Sequence, residues 1–347
     1  MPLSLAARYG LHRVVDGNGA FPQPAWKLDP SPRISDAEIL IDVERLNLDS
    51  ANFHQIAREA GGDPDAVAAA IAAIVAERGK LHNPVTGSGG MLIGTVREVG
   101  SYVRESRAVE PGQRIATLIS LTLTPLRLDR IDGIDMRHGQ VAVRGTAVLF
   151  ESSPFAVLPD DIPERIALAA LDVAGAPSRT SMLVQPGQTV ALVGGGGTAG
   201  LLTLHEARKH AGPAGTVIVT DVSDEALADV RETGLADHTV AADATEALGL
   251  YEAVMEAGGR EADVAVNLVN VAGTELGTIL LTRDSGTILF FSMATSFTTA
   301  ALGAEGLGRA TTMVIGNGHM PDMGLVALNV LRENPVIRAI FERRYAI

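Results

Sequence analysis

Residues 189–202 read TVALVGGGGTAGLL, and this stretch decides the fold. Thr189–Val193 is a short, almost wholly apolar run, the pattern of a parallel strand covered on both faces. It leads straight into four glycines and then a helix-forming segment. Gly195, Gly197 and Gly200 satisfy G-x-G-x-x-G, while Gly194, Gly197 and Gly200 satisfy the related G-x-x-G-x-x-G. In such a strand–turn–helix the first glycine makes the turn and the second lets a pyrophosphate approach backbone N–H groups. The third packs helix against strand. The helix N-terminus adds partial positive charge for phosphates, and Thr198 is placed to offer them its hydroxyl. A structural glycine turn has the same letters, so a second feature is needed. The next apolar run, Thr216–Thr220, supplies it by ending at Asp221, twenty-one residues after Gly200. An acid there bonds the adenosine ribose hydroxyls and repels a 2′-phosphate, and no arginine follows closely. The pair of features predicts NAD as cofactor.

Working outward, helical and strand segments alternate from about Pro163 at the spacing of βαβ units. The further candidate strands are Val264–Val269, Thr287–Phe291 and Thr312–Ile315. Asn270 and Val271 end one of them, and Ser292 and Met293 follow another. Cofactors lie across the C-terminal ends of such strands, so these positions are expected on the nicotinamide side, with strand-end packing as the alternative. The first half has a different texture. Glu38–Val43 alternates as a half-buried strand, and Pro64–Arg78 is an alanine-rich helix. Paired glycines precede a strand ended by Gly100, and Pro111-Gly112 turns into a strand over Arg114–Ile119. The expected class is α/β: a β-rich catalytic domain over 1–162, then a Rossmann domain with a doubly wound parallel sheet over 163–318. Residues 319–347 are expected to return to the first domain.

Composition narrows the function. The chain of 347 residues is 46% hydrophobic and 20% charged, an ordinary globular balance. No run reaches the eighteen or so apolar residues of a membrane span, and the N-terminus lacks a signal-peptide layout, so a cytoplasmic protein is expected. The formal net charge of −13 argues against nucleic acid; it serves solubility, or attracts a cationic metabolite. The absence of cysteine removes disulfides, thiolate nucleophiles and sulfur-based zinc sites. Eight histidines form no HExxH or other close ligand pair, and His54, His82 and His138 are expected on surface loops. No metal is expected.

A glycine-punctuated β half before a Rossmann half resembles the medium-chain dehydrogenase/reductase superfamily. GSGGMLIGTVREVG (87–100) followed by PGQRIA (111–116) is similar to its glycine-rich strand and G-D-x-V turn. The resemblance implies a GroES-like first domain. It also places Asn47 and Gly90 where zinc members carry a cysteine and a histidine, with the second cysteine falling within two residues of Asp172. The zinc chemistry therefore does not carry over.

More specifically, HNPVTGSGGMLIG (82–94), SLTLTPL (120–126), LDVAGAP (171–177) and VIGNGHMP (314–321) resemble the family of L-erythro-3,5-diaminohexanoate dehydrogenases. That resemblance implies NAD-dependent oxidative deamination of a small diamino acid in lysine degradation, by a homo-oligomer. The chemistry asks for a neutral amine at the carbon losing hydride and a general acid/base to move protons. Asp172 is the first candidate acid, in the apolar stretch ALAALDVAGAP, where it is expected to be buried at the cleft between domains; its alternative is a helix or turn cap. Asn47 orients a polar group or water nearby, or is a turn residue. Glu151 closes a hydrophobic strand and is the second acid candidate. Lys80 and His82 are weaker choices for holding a carboxylate, with a surface loop favoured, and Glu98 is expected on a strand exterior. The rival readings are a metal-free quinone or enoyl reductase of the same superfamily and a dinucleotide sensor without turnover.

Overall fold

The alternation that begins at Glu38 runs on for eleven residues as β1, Glu38–Leu48, in the computed structural model of the protein. The structure describes residues 3–15, 20–316, 319–320 and 322–345. The chain divides into two compact units, Met1–Asp160 and Asp161–Ile347.

In the first unit β1 is joined by β2 (Gly90–Val99), β3 (Arg114–Thr117), β4 (Leu126–Asp135), β5 (Gln140–Phe150) and β6 (Phe155–Val157). The order is β4-β5-β1-β2-β3-β6, with every pair antiparallel. The inward residues of β1, Ile39, Ile41, Val43 and Leu46, share one core with Val67, Ile71 and Val75 of helix Pro64–Arg78. That helix has the expected punctuation. The Asp63 side chain accepts the Ala66 N–H, proline stands in the first turn, and Gly79 ends it in the left-handed region at φ 61°. The strand expected over Arg114–Ile119 stops at Thr117. His54 lies on the helix Ser50–Glu59 instead of a loop, though exposed as expected.

The second unit carries β7 (Thr189–Val193), β8 (Thr216–Asp221), β9 (His238–Ala241), β10 (Ala262–Asn267), β11 (Thr282–Phe290) and β12 (Thr312–Ile315). The order β12-β11-β10-β7-β8-β9 is wholly parallel. The strand order reverses between β7 and β10, so the crevice outside their carboxyl ends is the ligand position of a doubly wound sheet. All five residues of β7 are buried, as their apolar run predicts. β10 ends at Asn267, two residues before the expected end, which leaves Asn270 and Val271 in the following loop.

The expected return of residues 319–347 to the first domain is corrected: the chain up to Ile347 belongs to the second unit. The cause is the apolar content of two terminal helices, Met323–Glu333 and Pro335–Tyr345. Leu328, Leu331, Ile337, Ile340 and Phe341 are all buried, and the helices pack on those at Glu164–Asp172 and Thr198–Ala211. Arg332 closes the arrangement on Asp161 at 2.8 Å. Of the segment 314–321, Asn317, Gly318 and Pro321 lie outside the described residues. Among the described residues no helix is long and apolar enough to cross a membrane.

Candidate active site

The four glycines after β7 divide their labour. Gly194 takes φ 74°, and a Cβ there would lie 2.6 Å from Val269, in the loop after β10, so the two loops touch across the strand reversal. The N–H groups of Gly194 and Gly195 both donate to the Thr220 carbonyl at 2.9 Å, tying the turn to β8. Gly196 N–H donates to Asp221 Oδ2 at 2.9 Å, and Asp221 Oδ1 accepts the Ser223 N–H at 3.1 Å. A Cβ on Gly200 would stand 2.0 Å from the Gly195 carbonyl oxygen, so Gly200 lets the first turn of the helix pack against the glycine turn. Gly197 is different. It caps helix Thr198–Ala211 in extended geometry, and a Cβ there would meet nothing within 4 Å.

The open side of Gly197 adjoins a set of donors. The first backbone bond of this helix runs from Leu201 N–H to the Gly197 carbonyl at 3.0 Å, so the N–H groups of Thr198, Ala199 and Gly200 have no acceptor within the helix. Orphan donors, the helix dipole and an empty cradle together make an anion site. Asp221 keeps acceptor capacity beyond its two backbone donors, since a carboxylate offers about four lone-pair sites. The residues present fit a dinucleotide: pyrophosphate at Gly197–Gly200 and ribose at Asp221.

At the neighbouring strand ends, Ser292 Oγ donates to Asn270 Oδ1 at 3.3 Å, bringing the two expected pairs together. Val271 and Met293 are exposed, the latter by 82%. Asn267, which the sequence reading passed over, is fully buried and holds this loop. Its Nδ2 donates to Thr274 Oγ1 at 2.9 Å and Thr278 Oγ1 at 2.8 Å, and its Oδ1 accepts the Val269 N–H at 3.1 Å. Two further residues were unforeseen. Tyr345 places its hydroxyl 2.6 Å from Thr198 Oγ1, and Arg344 Nη2 donates to the Gly196 carbonyl at 2.9 Å.

The candidate acids are placed as follows. Asp172 is the last residue of helix Glu164–Asp172 and is exposed, correcting the expected burial. Helical periodicity turns Ile166, Ala167, Leu168, Ala170 and Leu171 inward and leaves Asp172 outward. It does not cap the next helix, whose N-cap is Ala174. Glu151 is ion-paired with Arg8 at 3.0 Å and has 17% of its side chain exposed, so its charge serves a structural pair. Asn47 lies near the end of β1 and accepts from Gln140 Nε2 at 3.3 Å. Beside it, Gly90 has φ 129°, and a Cβ would stand 2.1 Å from the Asn47 carbonyl oxygen. No side chain can stand at position 90, so a ligand there is sterically excluded.

Asp49, two residues beyond Asn47, was missed. It precedes the helix Ser50–Glu59 but makes no capping bond to it. Instead Oδ2 accepts the Gly89 N–H at 3.1 Å, and burial raises its carboxyl above the usual range despite that bond. The loop beside it is held by a buried amide network, with Asn83 Nδ2 donating to Asn52 Oδ1 at 2.8 Å and Gln55 Oε1 at 2.7 Å. Lys80 is not on a surface loop: it is fully buried, and its ammonium donates to the carbonyls of Pro22 at 2.7 Å and Gln23 at 3.0 Å. His82 is pushed down to about 4 by burial and by the neighbouring Lys80 and Arg78 charges, so it is neutral at pH 7. Glu98 is exposed on β2 as expected, and His138 bonds Asp135 at 2.8 Å. Among the described residues one group, His205, Glu206 and Glu333, brings potential metal-binding atoms within 4.8 Å of one another. The Lys209 ammonium stands 2.7 Å from Glu333 and 3.9 Å from Glu206, supplying the positive charge there.

An antiparallel β unit followed by a parallel Rossmann unit with this loop is a fold shared with solved quinone oxidoreductases and alcohol dehydrogenases. The quinone oxidoreductase of Coxiella burnetii shares the fold with a TM-score of 0.53 at 16% identity, over 92% of this chain and 90% of that one. A cinnamyl alcohol dehydrogenase of Sorghum bicolor gives 0.53 at 16% identity, over 90% and 88%. The model of the L-erythro-3,5-diaminohexanoate dehydrogenase N-terminal domain matches residues 12–159. Relatives named L-erythro-3,5-diaminohexanoate dehydrogenase are 50% identical in Fusobacterium nucleatum and 47% in Acetoanaerobium sticklandii, each over 97% of this chain and 98% of the relative. The chain belongs to the L-erythro-3,5-diaminohexanoate dehydrogenase family. It is an oxidoreductase, and the dehydrogenase class with this fold implies a nicotinamide cofactor. The quinone-reductase and sensor readings are not favoured.

Proposed function

We propose that the protein oxidises the C3 amine of L-erythro-3,5-diaminohexanoate with NAD, giving 5-amino-3-oxohexanoate, ammonia and NADH in lysine degradation. The observation that carries the cofactor half is the open cradle at Gly197 beside the Asp221 carboxylate. The substrate half rests on the identity to the named relatives.

NAD, when bound, supplies the hydride acceptor. The N–H groups at Gly197–Gly200 and the Thr198 hydroxyl hold the pyrophosphate. Asp221 accepts from the adenosine ribose hydroxyls and disfavours a 2′-phosphate by charge repulsion, which selects NAD over NADP. Asn270, Val271, Ser292 and Met293 border the nicotinamide side. Deamination needs the substrate amine neutral, then water added at the resulting iminium carbon, with a proton moved in each step. Asp172 is assigned to the substrate ammonium or to proton relay. Asp49, whose carboxyl burial makes it hold its proton more tightly, is assigned as a second proton-handling group, with Asn47 orienting its surroundings. No metal enters this reading, which rests on the absence of cysteine and on Asn47 and Gly90 standing where zinc-dependent relatives of the fold carry ligands. A cytoplasmic homo-oligomer completes the proposal.

The test is NADH formation across a panel of diamino and β-amino acids, repeated with NADP. Turnover of the 3,5-diamino acid with NAD is expected. Reduction of quinones or enoyl compounds with NADPH, and no amine oxidation, would overturn the proposal.

A further inference from the structure

We propose that Arg344 and Tyr345, the end of the last helix, are positioning residues of the cofactor site: they set the phosphate-holding loop and aim the Thr198 hydroxyl proton at the pyrophosphate. The inference rests on the dinucleotide reading of that loop. It concerns residues that no sequence motif joins, since Tyr345 lies 147 positions from Thr198.

The helix end is held in place over the loop. Arg344 Nε donates to Asp229 Oδ2 at 2.8 Å, and Arg343 pairs with the same Asp229 and with Glu232 at 3.0 Å. One turn earlier Phe341 is fully buried, its ring centroid 5.8 Å from that of Tyr345. With its charge matched by Asp229, Arg344 still directs Nη2 to the Gly196 carbonyl at 2.9 Å. Gly196 is thereby gripped on both sides, its N–H by Asp221 and its C=O by Arg344. In a trans peptide the carbonyl and the following N–H point opposite ways, so the bond to Gly196 O turns the Gly197 N–H away from Arg344. Arg344 thus fixes the peptide that fronts the open cradle.

Tyr345 acts through Thr198. A threonine hydroxyl has one proton to donate and two lone pairs to accept with. A phosphate oxygen only accepts, so a Thr198 that serves it must spend its proton there. The 2.6 Å contact then has one possible direction, with Tyr345 donating to Thr198. The chain Tyr345 O–H to Thr198 O–H to phosphate is polarised along its length, each bond strengthening the next.

The experiment is calorimetric titration with NAD and with ADP-ribose, which carries the pyrophosphate but no nicotinamide, alongside thermal midpoints. Variants are Tyr345→Phe, Thr198→Val and the double variant. Tyr345→Phe is expected to weaken both ligands about three- to tenfold, the size of one hydrogen bond, with the thermal midpoint lowered by only about a few degrees. Added to Thr198→Val it should change nothing further, because its effect runs through the hydroxyl already removed. Unchanged or tighter binding by Tyr345→Phe, or the same weakening in both backgrounds, overturns the assignment. A wild-type protein that binds neither ligand overturns the dinucleotide reading itself.

Discussion

Gly197 and Gly200 differ by three positions and should fail in opposite ways when each is changed to alanine. At Gly197 the backbone sits at φ −78°, ψ −177°, which any residue adopts, and the new methyl meets nothing within 4 Å. Gly197→Ala should therefore fold normally, gaining about 0.4–1 kcal/mol from a less flexible unfolded chain. The same methyl projects into the cradle and holds a pyrophosphate off the N–H groups behind it. Each backbone donor to a charged phosphate contributes about 1.5–3 kcal/mol, so loss of even one weakens NAD roughly tenfold or more. Gly200→Ala puts its methyl 2.0 Å from the Gly195 carbonyl oxygen, within the packed contact between the helix and the glycine turn. It should cost about 1–3 kcal/mol of stability or more, with NAD binding impaired as a consequence. Differential scanning calorimetry and NAD titration on the same preparations separate the two. Wild-type NAD affinity in a folded Gly197→Ala protein would refute the reasoning, because nothing of pyrophosphate size then sits against that glycine.

Three further outcomes follow from single carboxylates. Asp221→Ser should weaken NAD ten- to hundredfold and narrow its margin over NADP, read by titration with both; equal affinities before and after would mean the acid faces elsewhere. Asp172→Asn should preserve NAD affinity and thermal midpoint while turnover falls about two to four orders of magnitude; a fully active variant would end the catalytic assignment. Asp49→Asn tests linkage. Because burial raises the folded-state pKa of Asp49, its ionisation costs stability as pH rises through that value. The variant should be more stable than the parent at pH 7, the difference vanishing below the ordinary carboxylate range, and should turn over more slowly. Thermal midpoints and rates measured from pH 3 to pH 8 check both, and a variant less stable at pH 7 would contradict the burial argument.

The parallel sheet was legible in its centre because Thr189–Val193 is buried on both faces and stands out as a short apolar run with the correct bounds; the edge strand Thr312–Ile315 was read with the correct bounds although it is only partly covered. The glycine turn Gly194–Gly200 and the strand ending at Asp221 were legible because strand, turn and helix follow one another directly along the chain. β4 escaped notice because Leu126–Asp135 is an edge strand dense in charge, with Arg127, Asp129, Arg130 and Asp132 among its ten residues. Asp172 was misjudged as buried since an apolar stretch does not reveal which way a helix is rotated. Asp49 carried no signal in the sequence because its partner, the Gly89 N–H, is forty residues away. Arg344 and Tyr345 reach the glycine loop only because the terminal helices pack on the second unit, a tertiary fact with no local signature.

The central claim is tested most directly by stoichiometry: NADH and ammonia measured together from L-erythro-3,5-diaminohexanoate, in the presence of EDTA. One NADH and one ammonia per molecule of substrate consumed, undiminished by the chelator, is the predicted result. NAD binding with no release of ammonia, or activity that disappears with EDTA and returns with zinc, would contradict it.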